Sequence, residues 1–160
     1  MDAASRRQLI DKYREGPAVL EAALSAVADG DLDTAVEGWT PRQVAHHVAD
    51  SEMTSAIRLR RLLAEERPQL SGYDEELFAR RLHYSERPIE GSLEAVRGAR
   101  ASTLALLEVL NEEEWAREGT HSESGRYSVT DWLQIYAAHC HDHADQVRRA
   151  SPPHGGGVPA

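Results

Sequence analysis

The chain has 160 residues, the size of one domain, and its 41% apolar and 28% charged content is that of a globular protein able to bury a core without a staple. A net charge of −9 without a basic block argues against a nucleic-acid partner, and no apolar run approaches the roughly 18 residues of a membrane span. The single cysteine, Cys140, excludes an internal disulfide framework, and no apolar stretch follows Arg6 and Arg7 to make a secretory signal, so the expected compartment is the cytoplasm.

Residues 5 to 29 predict a first helix, with Leu9, Ile10, Tyr13, Pro17, Leu20, Leu24 and Val27 near one face. Gly16-Pro17 interrupts the pattern. A proline inside a helix loses one hydrogen bond and crowds the preceding turn, which predicts a kink or two abutting helices. Asp29-Gly30-Asp31 ends the segment, and a loop closes on Gly38-Trp39. Thr40-Pro41-Arg42-Gln43 starts a second helix, with threonine as the cap, proline in the first position and glutamine placed to complete a capping box. It should run to about Glu66, ahead of Pro68, with Val44, Val48, Leu59, Leu62 and Leu63 apolar.

Residues 67 to 91, punctuated by Pro68, Gly72, Pro88 and Gly91, read as a crossover with one short helical piece near residues 74 to 81. Ser92 reads as the cap of a third long helix over residues 93 to 110. Asn111-Glu112-Glu113-Glu114 reads as the cap of a short turn holding Trp115. Residues 121 to 126 read as a polar turn, and Ser128 as the cap of a last helix over residues 129 to 149. Residues 151 to 160 have the Pro/Gly composition of a disordered tail. The expected architecture is all-α, a four-helix bundle with a long crossover connection, forming one domain over residues 1 to 150.

In the last helix Trp132, Tyr136, His139, His143 and Val147 form a single stripe. His139 and His143 stand at i and i+4, about 40° apart, so their imidazoles point the same way. Bundles build metal sites from inward side chains on facing helices, and a divalent ion needs a third ligand and an open position to do chemistry. The second helix offers two histidines. His47 falls on the Val44/Val48/Ser51 face, and His46, turned about 100°, falls with Asp50, Met53 and Ile57; periodicity does not choose between them. Nor does spacing separate a metal pair from two core histidines satisfied by hydrogen bonds. An unpaired buried nitrogen costs about 1–3 kcal/mol, and either arrangement removes that cost. Cys140 and His141, turned about 100° and 200° from His139, are expected off the site, and His83, His121 and His154 at the surface.

The run Gly38-Trp39-Thr40-Pro41-Arg42-Gln43-Val44-Ala45-His46-His47-Val48-Ala49-Asp50-Ser51 resembles the first metal-ligand helix of the DinB-like superfamily. The likeness is closest to its YfiT-like branch, first described as metal-dependent hydrolases and later linked to bacillithiol S-transferase activity. It continues through Arg58-Leu59, Gly72-Tyr73-Asp74-Glu75, Glu123-Ser124-Gly125 and the helix holding His139 and His143, covering roughly residues 36 to 148. The resemblance implies that His47, not His46, completes a three-histidine site with His139 and His143, in a bundle that is often a homodimer. Where the branch commonly has His-Met after aspartate-serine, this chain has Glu52-Met53.

The implied cofactor is one divalent ion, zinc, nickel or iron(II), able to activate water or a thiol. The implied reaction transfers a low-molecular-weight thiol, bacillithiol-like, to an electrophilic small molecule. Hydrolysis by metal-activated water is the second reading, and a metal- or ligand-binding bundle without turnover the third. Ser51 and Tyr136 are expected to line the open side and Trp132 to form a pocket wall or part of the core. Asp50 and Glu52 are candidates for orienting an imidazole.

Overall fold

The computed structural model describes residues 1–28, 30–35 and 38–150. Helix α1 spans Ala3–Ser25 and is capped by Asp2, whose carboxylate accepts from the Ser5 amide. It continues through Pro17 instead of dividing there. A 3-10 turn, Asp31–Asp33, leads towards Gly38, whose φ of +100° belongs to the left-handed region where a side chain would be strained. Helix α2, Pro41–Ala64, starts on the expected capping box: the Thr40 hydroxyl accepts from the Gln43 amide, and the Gln43 side chain accepts from the Thr40 amide.

The crossover carries a two-residue strand β1, Gln69–Leu70, and helix α3, Glu75–Arg81. Helix α4, Glu90–Leu107, begins three residues ahead of the expected start, so Ser92 lies within the first turn and is not its cap. Helix α5, Glu112–Trp115, has the capping box read at Asn111 and Glu114. The segment expected as a polar turn is a hairpin of β2, Glu118–His121, and β3, Gly125–Ser128, before helix α6, Val129–Ala150. β1 adds to β2 in parallel, with Gln69 opposite Thr120 and Leu70 opposite His121, so a small three-stranded sheet ties the crossover to the hairpin. The expected tail, residues 151 to 160, lies outside the described residues, as does Asp29 at the expected end of the first segment.

The four long helices close a ring in which α1 packs on α6 and α4, and α2 packs on the same two. Consecutive long helices α1 and α2 therefore face each other diagonally, as do α4 and α6. This arrangement puts α2 directly against α6, the two helices that carry the histidines. The core fills in two connected layers. One is built on Tyr13, Leu59, Leu62, Trp132 and Leu133; the other on Leu20, Val44, Val48, Val96, Cys140 and Val147. Leu59, Leu62 and Leu133 are fully buried, which contributes about 1.5–3 kcal/mol each. The interface between α2 and α6 is thus fixed above and below the histidines by apolar packing.

Candidate metal centre

His47 leaves the second turn of α2 on its buried side, and His139 and His143 leave successive turns of α6 opposite it. Ring centroids are 5.5 Å apart for His47 and His139, 4.7 Å for His47 and His143, and 4.6 Å for His139 and His143. One ring nitrogen from each lies within 4.8 Å of the other two. The hydrogen bonds indicate which nitrogens are free. His143 Nδ1 donates to Gln146 Oε1 at 2.8 Å, and His139 Nδ1 faces Glu52 Oε1 at 3.4 Å, which leaves both Nε2 atoms uncommitted. His47 Nδ1 is buried with no partner.

Burial and the two neighbouring imidazoles push His47 down to about 3. Burial and His139 push His143 down to about 4. Both rings are neutral at physiological pH, the state in which an imidazole binds a metal. A cluster of three imidazoles, with one buried ring nitrogen unpartnered, fits a divalent ion. On its outer side the cluster opens into a cavity of about 250 Å³ lined by Trp39, His47, Glu75, Glu76, His143 and Gln146. Clefts of about 390 and 380 Å³, under Arg6 and Trp115 and beside His46, are larger but hold no such cluster.

His46 is just as buried but looks the other way. Its Nε2 donates to the Arg87 carbonyl at 3.1 Å, and its Nδ1 accepts from the Ser92 hydroxyl at 2.7 Å. It is the satisfied core histidine that periodicity alone left possible for both. Cys140 is buried beneath the site and its thiol is pushed up to about 12, first by that burial. His141 Nε2 donates to the Lys12 carbonyl at 2.9 Å, away from the cluster. His83 is exposed as expected, but His121 is buried against Tyr127 because the hairpin folds it inward.

Ser51 is buried one turn along α2 from His47. The Tyr136 ring lies 5.6 Å from that of His139. Trp132 is a core residue: it is fully buried, its indole N–H donates to the Ser55 carbonyl at 2.9 Å, and its ring tilts on Tyr136 at 5.1 Å. Of the two acids proposed to orient an imidazole, Asp50 instead accepts from the Tyr84 hydroxyl, whereas Glu52 is at His139.

Several residues around the cluster have no site role in the sequence reading. Trp39 stacks edge-on against His47 and donates to Glu76 at 2.8 Å. Gln146, three residues beyond His143, could have been found from its i, i+3 spacing. Arg58 reaches the Tyr136 hydroxyl at 3.4 Å and has no carboxylate within ion-pair distance among the described residues. Its buried Nε has no partner. Arg100, which holds Glu52, lies 48 positions away in sequence and carried no local signal.

A helical bundle that gathers three histidines from two facing helices is a metal-site scaffold of a recognisable kind. The family model of the DinB superfamily matches residues 12–147, and the chain belongs to that superfamily. A relative from Oceanobacillus iheyensis, whose name carries an inferred metal-dependent hydrolase activity, is 35% identical over 140 residues, 86% of this chain and 81% of that one. YfiT of Bacillus subtilis, named in the same way, is 32% identical over 145 residues, 89% of this chain and 82% of that one. The solved structure of YfiT, described as an unusual four-helix bundle topology, matches with a TM-score of 0.87 at 30% identity, covering 94% of this chain and 87% of that one. The diagonal placement of consecutive long helices accords with that description. No helix among the described residues is long and apolar enough to cross a membrane.

Proposed function

We propose that His47, His139 and His143 hold one divalent ion, zinc, nickel or iron(II), and that the chain is a metal-dependent enzyme transferring a low-molecular-weight thiol to an electrophilic small molecule. The observation that supports the metal most directly is the buried, unpartnered His47 Nδ1 within a cluster of three imidazoles whose nitrogens lie within 4.8 Å. Held by three neutral ligands, a divalent ion keeps its full charge and open positions, and supplies a nucleophile at neutral pH by lowering the pKa of water or a thiol.

The chain's own residues then divide the work. Glu75, Glu76 and Trp39 frame the outer opening, where solvent and substrate exchange. Ser51 and Tyr136, buried beside His47 and His139, are assigned to the inner side, with Trp132 packed on Tyr136 as part of the core. The Arg58 guanidinium, lacking a carboxylate partner, favours a substrate that carries negative charge near Tyr136. We take the assembly to be a homodimer, as the resemblance implies; light scattering measures it.

The relatives' names support a second reading, in which water replaces the thiol and the reaction is hydrolysis. Protein purified without a nickel column and reconstituted with zinc, nickel or iron(II) separates them. Thiol consumption with an electrophile, abolished by His143→Ala, is the expected result. Turnover that proceeds without thiol assigns the hydrolase. One metal per chain with neither activity across a broad substrate panel assigns a non-catalytic binding bundle.

A further inference from the structure

Glu52 and Arg100 form an ion pair with side-chain exposures of 0% and 2%, their contact Glu52 Oε1 to Arg100 Nη2 at 2.7 Å. Removing two charges from water is expensive, and apolar residues of similar volume often stabilise a fold as well or better. Stability alone therefore does not account for this pair, and its surroundings point elsewhere.

Arg100 is held by three helices besides its own. Nη1 donates to the Tyr13 carbonyl at 2.6 Å, Nη2 donates to the Tyr136 carbonyl at 2.7 Å as well as to Glu52, and the guanidinium lies 4.1 Å over the Tyr13 ring. The Tyr13 carbonyl is available because the residue four positions on is Pro17, which has no N–H to donate. The space for Nη1 exists because residue 16 is glycine: a Cβ there would stand 2.2 Å from Nη1. Gly16-Pro17 is thus a socket in α1 for the Arg100 guanidinium.

The guanidinium fixes Glu52, and Glu52 Oε1 faces His139 Nδ1. A carboxylate can only accept, so the imidazole proton is directed to Nδ1 and Nε2 keeps its lone pair free. His143 has a neutral amide at the same position, and His47 has no partner at Nδ1, so only one of the three rings is backed by a charge. A cation held by His139 would make the Nδ1 proton more acidic and so strengthen its contact with Glu52.

We propose that Glu52 is the positioning residue for His139, and that Arg100, seated in the Gly16-Pro17 socket, holds Glu52 in place for that task. The proposal rests on the reading of His139 as a metal ligand, but its first readout does not. In metal-free wild-type protein, long-range proton–nitrogen NMR of the histidine rings is expected to show His139 as the Nδ1–H tautomer. In the double variant Glu52→Met/Arg100→Met the ring should lose that preference, and zinc affinity, measured by competition with a chromophoric chelator, should fall about 10–100-fold. Urea midpoints should fall by no more than the loss of one donor to the Tyr13 carbonyl explains, and the tautomer is read independently of that loss.

If the double variant does not fold, Glu52→Gln decides, with an expected affinity loss of about tenfold at the low end of the same range. A wild-type His139 protonated at Nε2 overturns the proposal, as does zinc affinity within about twofold of wild type in the folded variant. Wild-type protein that binds no zinc, nickel or iron(II) overturns the functional reading instead, and the tautomer measurement still decides the role of Glu52.

Discussion

Trp39 stands edge-on to His47, with ring centroids 5.0 Å apart and planes at 88°. The indole is held from its other side by the bond to Glu76, so it cannot swing away when the imidazole changes state. An ion on the histidine cluster would alter the electric field at this ring, and a paramagnetic one would quench it. Titrating nickel into metal-free protein should therefore lower tryptophan emission. Trp39→Phe should abolish most of the change, and Trp115→Phe, which removes the indole stacked under Arg6, should leave it intact. Equal quenching in wild type and Trp39→Phe would place the metal elsewhere.

His47 is the histidine of the cluster that joins the two helices, because the other two share α6. His47→Ala should reduce bound metal from one per chain to well under one, and activity with it. Zinc bound at the cluster and present at a thousand times its dissociation constant would stabilise the wild-type fold by about 4 kcal/mol, and that increment should vanish in the variant. The metal-free forms should differ far less, because the imidazole lost is one whose Nδ1 made no hydrogen bond. Thermal melts with and without zinc measure both quantities. An unchanged zinc shift would remove His47 from the site.

How much of this was legible depended on whether the signal was local. The Thr40 capping box and the His139/His143 pair are fixed by residues within one turn of each other, and both appear where the sequence put them. The choice between His46 and His47 was not legible in the periodicity, and only the family resemblance pointed to His47. Both are inward, and only the neighbours decide: α4 brings Ser92 to one, and α6 brings two histidines to the other. The hairpin was hidden because its inward positions include Gly119 and His121, which give no apolar alternation. Gly16-Pro17 was read as a defect in α1. Its purpose depends on Arg100, which arrives from α4 through the fold.

The low values of His47 and His143 make stability depend on pH in a defined direction. Both histidines are near 6.5 in the unfolded chain, and burial with the adjoining imidazoles brings them to about 3 and about 4 in the fold. Between those limits the unfolded chain binds protons that the folded chain does not, so stability rises with pH. The stability is fully present above about 6.5 and is lost as pH falls towards 4, at on the order of 1 kcal/mol per pH unit for each group. Urea midpoints of metal-free protein should drop between pH 7 and pH 5, and His47→Ala/His143→Ala should flatten the dependence. Metal should be released over the same range, because protons compete for the same nitrogens. A midpoint independent of pH would show that the folded rings take up protons over the same range as in the unfolded chain.

Gly16 and Arg100 make a prediction that runs against helix propensity. Gly16 lies inside α1, where replacing glycine by alanine normally stabilises a helix by about 0.5–1 kcal/mol. Here the added Cβ would stand 2.2 Å from Arg100 Nη1 and 2.9 Å from Cys140 Cβ, so the guanidinium or α1 must move. Overpacking of this kind typically costs about 1–3 kcal/mol, which exceeds the propensity gain. Displacing Arg100 also leaves the Tyr13 carbonyl without its donor and Glu52 without its counter-charge, adding to the loss. Gly16→Ala should lower the urea midpoint, whereas alanine at Gly98, a helical position on α4 where a Cβ meets nothing within 4 Å, should raise or preserve it. If both substitutions stabilise the protein equally, Arg100 has room to move and the close fit at Gly16 does not constrain it.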